Sequence, residues 1–169
     1  MDLKAKEHSW ESFQKYVYGS AEVVGLMCLR VFCKDRDEDY ESLIYPARKL
    51  GEAFQKVNFL RDIRSDSLVR GRFYFPGINL EKFNDESKTV IEKDIQQDFD
   101  EALTGIKKLS KASKLGVLVS YTYYLALFKK IQRTSAEKVF SKRYRISDFR
   151  KICILISLWI KCKIGICCY

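Results

Sequence analysis

Apolar residues recur along most of this chain at three- and four-residue steps, the period of a helix buried on one side. After Asn84 the series runs Val90, Ile91, Ile95, Phe99, Leu103 and Ile106, and over 115–133 Leu118, Tyr121, Leu125 and Phe128 share a face. Ser9 or Ser12 is placed to cap a helix through Phe13 and Tyr16, and the small-residue stretch Gly19 to Met27 carries the pattern on to about Phe32. Lys34-Asp35-Arg36-Asp37-Glu38-Asp39 reads as a solvated connector, followed by a predicted helix from Ser42 to Arg64. Gly71 and Pro76-Gly77 break the period, so 65–79 is predicted as a loop. A short helix follows Ser135, and a last one runs from a Ser147 cap to about Lys163. With two prolines and eight glycines in 169 residues, the pattern predicts a single all-α domain.

The run Ile152 to Ile160 is apolar but short. Spanning a bilayer takes about 20 apolar residues, and Lys161 and Lys163 end this run. A buried bundle helix is the expectation, with peripheral membrane contact as the weaker alternative.

Composition sharpens this picture in two places. The chain is 47% hydrophobic and 14% aromatic, enough for a sizeable core. Its net charge of +9 is uneven: residues 101–169 hold 15 Lys/Arg against 3 Asp/Glu, and residues 1–100 hold 16 against 19. The basic half suits a polyanion or an anionic surface. Zinc-finger spacing and the aromatic pattern of RNA-binding sheets are both missing, so nucleic acid is not an expected partner. Met1-Asp2-Leu3-Lys4 does not open a secretory signal, which predicts a cytoplasmic protein with reduced thiols, membrane-associated at most peripherally. Cys162, Cys167 and Cys168 match no metal spacing, and His8 reads as a surface residue.

The helix over 42–64 carries the chemistry. At about 100° per residue, Gly51, Gln55, Asn58, Asp62 and Asp66 fall within about 80° of arc, while Leu50, Ala53, Phe54, Val57, Leu60 and Ile63 point elsewhere. A helix apolar over most of its girth is buried, so its polar stripe must meet a cavity, a metal or a partner. Oxygen donors stacked one turn apart suit Mg²⁺, which completes its shell with water and phosphate. An Asp-x3-Asp pair alone is weak evidence, since such pairs are common on solvated helix faces.

The residues around the pair are more specific. Ala47 to Asp66, with its Leu-Gly, Gln, Asn and Arg-Asp followed by a second Asp, resembles the second aspartate-rich helix of the phytoene and squalene synthases. Arg70-Gly71-Arg72-Phe73-Tyr74-Phe75-Pro76 is similar to that family's Arg-Gly-Arg-x-Tyr-x-Pro segment. Tyr16 to Met27 is similar to its tyrosine-led small-residue helix, and Met1-Asp2-Leu3 to the short segment before it. The detail is nearest to the bacterial phytoene synthases. The resemblance implies an isoprenoid-synthase-type helical bundle, with 1–169 as the C-terminal part of one such domain. It implies head-to-head condensation of two geranylgeranyl diphosphates in carotenoid biosynthesis, or the squalene-type reaction. By the same resemblance Asn58, Asp62 and Asp66 would ligate Mg²⁺, or Mn²⁺ in its place. Tyr16 would act beside Asp62 and Asp66 at the reacting carbons, Gln55 would line the cavity, and Arg61, Arg70, Arg72 and Tyr74 would contact diphosphate. Gly19, Ala21 and Gly25 would allow close helix approach. The tyrosines 121, 123 and 124 read as core packing.

Family enzymes also carry a first aspartate-rich motif, upstream of the tyrosine helix. This chain opens almost at that helix, so the expected bundle is incomplete at the N-terminus; Asp35, Asp37 and Asp39 stand in the wrong place to substitute. The implied partners are a prenyl diphosphate and either an N-terminal fragment or a second copy of the chain.

Overall fold

The structure is a computed structural model; it describes residues 6–7, 9–34, 37–69 and 71–164, with 6, 7, 37, 38 and 68 described in their backbone alone. His8, Asp35, Arg70, Cys167, Cys168 and the Met1-Asp2-Leu3 segment lie outside these residues.

Seven α-helices account for most of the described chain. They are α1 (Trp10–Val17), α2 (Val23–Phe32), α3 (Asp37–Arg64), α4 (Asp85–Lys108), α5 (Lys111–Gln132), α6 (Ala136–Ser141) and α7 (Asp148–Lys163). The cap reading selects between its two candidates: the Ser9 hydroxyl accepts from the Ser12 amide at 3.2 Å. Asn84, Ser110 and Ser147 cap α4, α5 and α7 in the same way.

The long helix α3 is the axis. Val57 and Leu60 are fully enclosed among Phe99 of α4 and Leu127, Phe128 and Ile131 of α5. It begins at Asp37, so the connector expected over 34–39 is shorter than its charge suggested, and it runs through Pro46 without ending. The Pro46 ring instead packs on α4, where a Cβ on Gly105 would lie 2.5 Å from it. Close approach recurs between α3 and the small-residue stretch. A Cβ on Gly51 would meet the Ala21 carbonyl oxygen at 2.6 Å, and one on Gly25 the Ala47 carbonyl oxygen at 2.8 Å. Gly19 has open space beyond its Cα, so it plays no part in that packing.

Two π-helical turns mark where the chain leaves regular helix, Tyr18–Glu22 between α1 and α2 and Ser65–Val69 after α3. The second occupies the start of the predicted loop. Beyond it β1 (Lys6–Glu7) pairs in parallel with β2 (Arg72–Phe73), tying the start of the chain to the end of α3. Gly71 and Gly77 hold positive φ, 60° and 72°, and let Phe73, Tyr74 and Phe75 fold back into the core.

Between α3 and α4 lies a buried ionic cluster. Lys56, 3% exposed, reaches Asp98 and Glu52 at 2.7 Å each and Asp94 at 2.5 Å. Lys49 reaches Glu52 and Asp98 at 2.9 Å.

The expectation for the last helix does not hold. α7 buries Leu158 and rests Ile154 on the core beside α5, while Phe149, Ile152, Ile156, Trp159 and Ile160 face outward. Helical period reports which residues share a face, not what covers it. The expectation of reduced thiols holds at Cys28, Cys33 and Cys153, whereas Cys162 is disulfide-bonded.

Candidate functional site

The polar stripe predicted on α3 is present, but its members do not all point at one spot. Gly51 is spent on helix packing against Ala21. Gln55 is half-buried. Asn58, Asp62 and Asp66 then divide into two adjoining groups, because the wider turn at Ser65–Val69 takes Asp66 off the phase of α3.

The first group centres on Asp62. Arg61 grips its carboxylate with Nε at 3.1 and 3.2 Å and Nη2 at 2.5 Å. Arg143, from the segment between α6 and α7, adds its Nε at 2.7 Å from the other oxygen. Burial opposes the charge on Asp62, but the bonds and charges of Arg61 and Arg143 outweigh it and hold the carboxyl below its usual range. One turn back, the Tyr124 hydroxyl lies 3.5 Å from Asn58 Oδ1.

The second group gathers Asp66, Tyr16, Tyr74 and Arg72. Tyr16 and Tyr74 rings stand 5.4 Å apart, and Tyr74 stacks on Phe59 at 4.2 Å. Burial raises the Tyr16 hydroxyl, Tyr74 raises it further by charge and hydrogen bonding, Asp66 adds to this, and Arg72 offsets part of it. Tyr16 is therefore a neutral phenol around pH 7, able to donate or accept a hydrogen bond. Tyr74 is nearly enclosed, with its ring in the aromatic core, whereas Arg72 is exposed. Of the expected diphosphate contacts, Arg61 is bonded to Asp62; Arg70 is outside the described residues.

An apolar cavity of about 420 Å³ opens beside the same helix. Leu50, Gly51 and Phe54 of α3 form one wall, Val24 and Cys28 of α2 another, and Val117 and Tyr124 of α5 a third. Tyr124 is stacked on Phe54 at 4.0 Å while its hydroxyl faces Asn58, so a single side chain joins the cavity to the Asp62 group. Along α3, Gly51 and Asp62 are separated by about 16 Å of helix rise.

Two participants escaped the sequence reading. Arg143 sits in the run Lys142-Arg143-Tyr144-Arg145, where nothing marks one cation above its neighbours. Tyr124 belongs to a tyrosine cluster assigned to packing; Tyr121 does pack, edge-on to Phe99, but Tyr124 lines the cavity.

The model of the squalene/phytoene synthase family matches residues 1–150. The chain belongs to that family. Similar proteins include chloroplastic phytoene synthase 2 of Solanum lycopersicum, 31% identical over 92% of this chain and 55% of that protein. A chloroplastic phytoene synthase of an Oncidium hybrid cultivar is 32% identical over 90% of this chain and 41% of that protein. The chain thus spans about half the length of the curated relatives it matches. A crystal structure of a dehydrosqualene synthase in complex with ligand superposes with a TM-score of 0.68 at 23% identity, over 94% of this chain and 59% of that one. The squalene/phytoene synthase chain described here therefore has the all-α isoprenoid-synthase fold expected from its sequence.

The family implies a divalent metal, and the donor set can be tested against it. Among the described residues no group of three His, Cys, Asp or Glu could hold an ion. Asn58, Asp62 and Asp66 supply one amide and two carboxylates, all hard oxygen ligands near the end of one helix. That set does not make an all-protein cage; its donor chemistry suits an ion that keeps waters and takes its remaining ligands from phosphate, with Asp62 and Asp66 in adjoining groups rather than around one point.

Proposed function

We propose that this chain supplies the second aspartate wall and the tail cavity of a phytoene-synthase-type prenyltransferase, the enzyme that joins two geranylgeranyl diphosphates head to head. One observation carries the reading: a cationic, oxygen-rich cluster and an apolar cavity are joined along α3 through Tyr124. Such a cleft suits a ligand with an anionic head and a long hydrocarbon tail, and the cavity volume lies in the ordinary range for small-molecule sites.

Asn58, Asp62 and Asp66 would hold Mg²⁺, or Mn²⁺, which offsets diphosphate charge and helps the leaving group depart. Arg61 and Arg143 neutralise Asp62 in the absence of ligand. Both guanidiniums can turn toward phosphate oxygens, leaving the carboxylate to the metal. Tyr16 keeps its proton and presents a phenol to the reacting end. Leu50, Phe54 and Val117 exclude water from the tail, which matters for any reactive carbon formed at its head.

The test is calorimetric titration of geranylgeranyl diphosphate with and without Mg²⁺. Asp62→Ala combined with Asp66→Ala is expected to weaken the Mg²⁺-dependent part of binding by about 100-fold, or about 2.7 kcal/mol, with helicity unchanged. Equal Mg²⁺-dependent binding by this variant and the unaltered chain would sink the assignment.

A second reading is favoured by the chain's half-length coverage of its relatives. It makes this chain a helical partner that binds substrate but turns over only beside a segment carrying the first aspartate-rich motif. Assays of the chain alone, and after addition of such a segment, separate the two. The squalene-type reaction is told apart by its product.

A further inference from the structure

We propose that the basic band between Lys129 and Arg145 steers prenyl diphosphates toward the Asp62 group, setting how fast the anionic head arrives rather than how tightly it is held. This rests on the prenyl-diphosphate reading above, and it gives a role to cations that belong to neither group of the site.

The band holds seven cations and one carboxylate, Glu137, and all seven cations are exposed. Among the described residues, Arg143 alone of the seven is paired with a carboxylate, that of Asp62. The remaining charge is not neutralised and acts at a distance. The fold holds it in place. Tyr144 and Ile146 are buried, and the Tyr144 hydroxyl donates to the Lys138 carbonyl at 3.2 Å, so Arg143 and Arg145 stand exposed on either side of an anchored ring. Lys130 donates to the Arg145 carbonyl at 2.7 Å, which draws the end of α5 onto the same segment. Arg64 of α3 donates to the Ser141 carbonyl at 2.8 Å. The band is thereby fastened to the end of α3 that carries Asp62.

Further back along α3 the sign is reversed. There Asp94, Asp98 and Glu101 of α4 lie against Lys56, Lys49 and Tyr45 in turn. From Pro46, which packs on Gly105 of α4, to Asp62 the helix rises about 24 Å. An anion therefore meets carboxylates along one part of the helix and an excess of cations at its end. Charge of one sign around a cleft raises the arrival rate of its opposite by about 10- to 1,000-fold, and by less as salt rises.

The experiment follows association of the full chain with a prenyl diphosphate carrying an anthraniloyl fluorophore at its tail, by stopped flow with Mg²⁺ present. The association rate is expected to fall about tenfold between about 0.01 and about 0.15 M salt. Lys138→Gln, Lys142→Gln and Arg145→Gln together are expected to slow association about fivefold at about 0.1 M salt, to flatten its salt dependence and to leave dissociation unchanged. Lys107→Gln, Lys108→Gln and Lys111→Gln remove the same charge at the α4–α5 turn, more than two screening lengths of about 10 Å from Asp62. They are expected to leave the association rate within about twofold. All six lysines and arginines are exposed, and circular dichroism checks that both triple variants keep their helices. Steering is overturned if the two triple variants slow association equally, if neither slows it, or if the loss in the band variant lies in faster dissociation. A chain that shows no Mg²⁺-dependent binding of the diphosphate at any salt overturns the reading of the site itself, and steering with it.

Discussion

Two clusters of carboxylates and cations hang from α3 within two turns of each other, and they are built in opposite senses. Around Lys56 the carboxylates are in excess: Glu52, Asp94 and Asp98 surround it, with Lys49 as the second cation. Asp98 of α4 is enclosed, and both its cations, Lys49 and Lys56, come from α3. Around Asp62 the cations are in excess, with two guanidiniums on one half-buried carboxylate, and the group borders a cavity. A closed cluster that satisfies itself can only hold two helices in register. An open one with positive charge to spare can exchange its internal partner for an anion. The residue types are the same; enclosure and the sign of the surplus separate structure from function.

The largest expected effect lies in the closed cluster. Lys56→Met leaves the buried Asp98 and the half-buried Glu52 with only Lys49 between them, and uncompensated buried charge costs about 3–5 kcal/mol. Denaturant melts should show that loss, while Mg²⁺-dependent diphosphate binding by the fraction still folded stays unchanged. A Lys56→Met variant as stable as the unaltered chain would erase the distinction drawn between the clusters.

Next in size is a pH effect at Asp98. Burial pushes its carboxyl up to about 6, against the pull of Lys56 and Lys49. A carboxyl raised in the fold binds its proton more tightly there than in the unfolded chain. Its contribution to stability is therefore complete below about pH 4 and lost as pH rises through about 6. The loss amounts to about 3 kcal/mol for a shift of about two units. Asp62 and Glu52, both lowered, contribute with the opposite slope, so the clean measurement is a difference. Between pH 4 and pH 7 the unaltered chain should lose stability relative to Asp98→Asn. Parallel curves for the two proteins would remove the buried carboxyl from the explanation.

How much of this was legible in the chain itself follows from what a period can encode. The α4 and α5 stripes announced themselves because Ile91, Ile95, Phe99, Leu118 and Phe128 do bury one face each. The Asp62 pair was legible for the same reason, as polar positions on an otherwise apolar helix. The start of α3 was not, because Asp37 to Ser42 is as polar as a loop. Glu52 and Lys56 stand four residues apart, a spacing equally common in surface pairs; the approach of α4 turns them inward. Arg143 reaches Asp62 across 81 positions of sequence, a distance over which local pattern is silent. The bare face of α7 was missed because its apolar residues carry the same signature whether a neighbour covers them or not.

The smallest effect on stability, and the sharpest probe of the open cluster, is at Arg143. Its side chain is half-exposed, so the pair with Asp62 is screened and Arg143→Ala should change stability by less than about 1 kcal/mol. Ligand binding should respond more strongly. If Arg143 leaves Asp62 for a phosphate oxygen, its removal costs a charge-assisted hydrogen bond, about 2 kcal/mol or thirty-fold in the Kd for a prenyl diphosphate. Burial already pushes the Asp62 carboxyl up, and without Arg143 only Arg61 opposes it, so that carboxyl should also move upward and the acid limb of binding shift to higher pH. Arg61→Ala and the double variant complete a cycle. Should Arg143→Ala weaken binding no more than it weakens the fold, the second guanidinium is a surface ion pair, and the open cluster has no cation to spare.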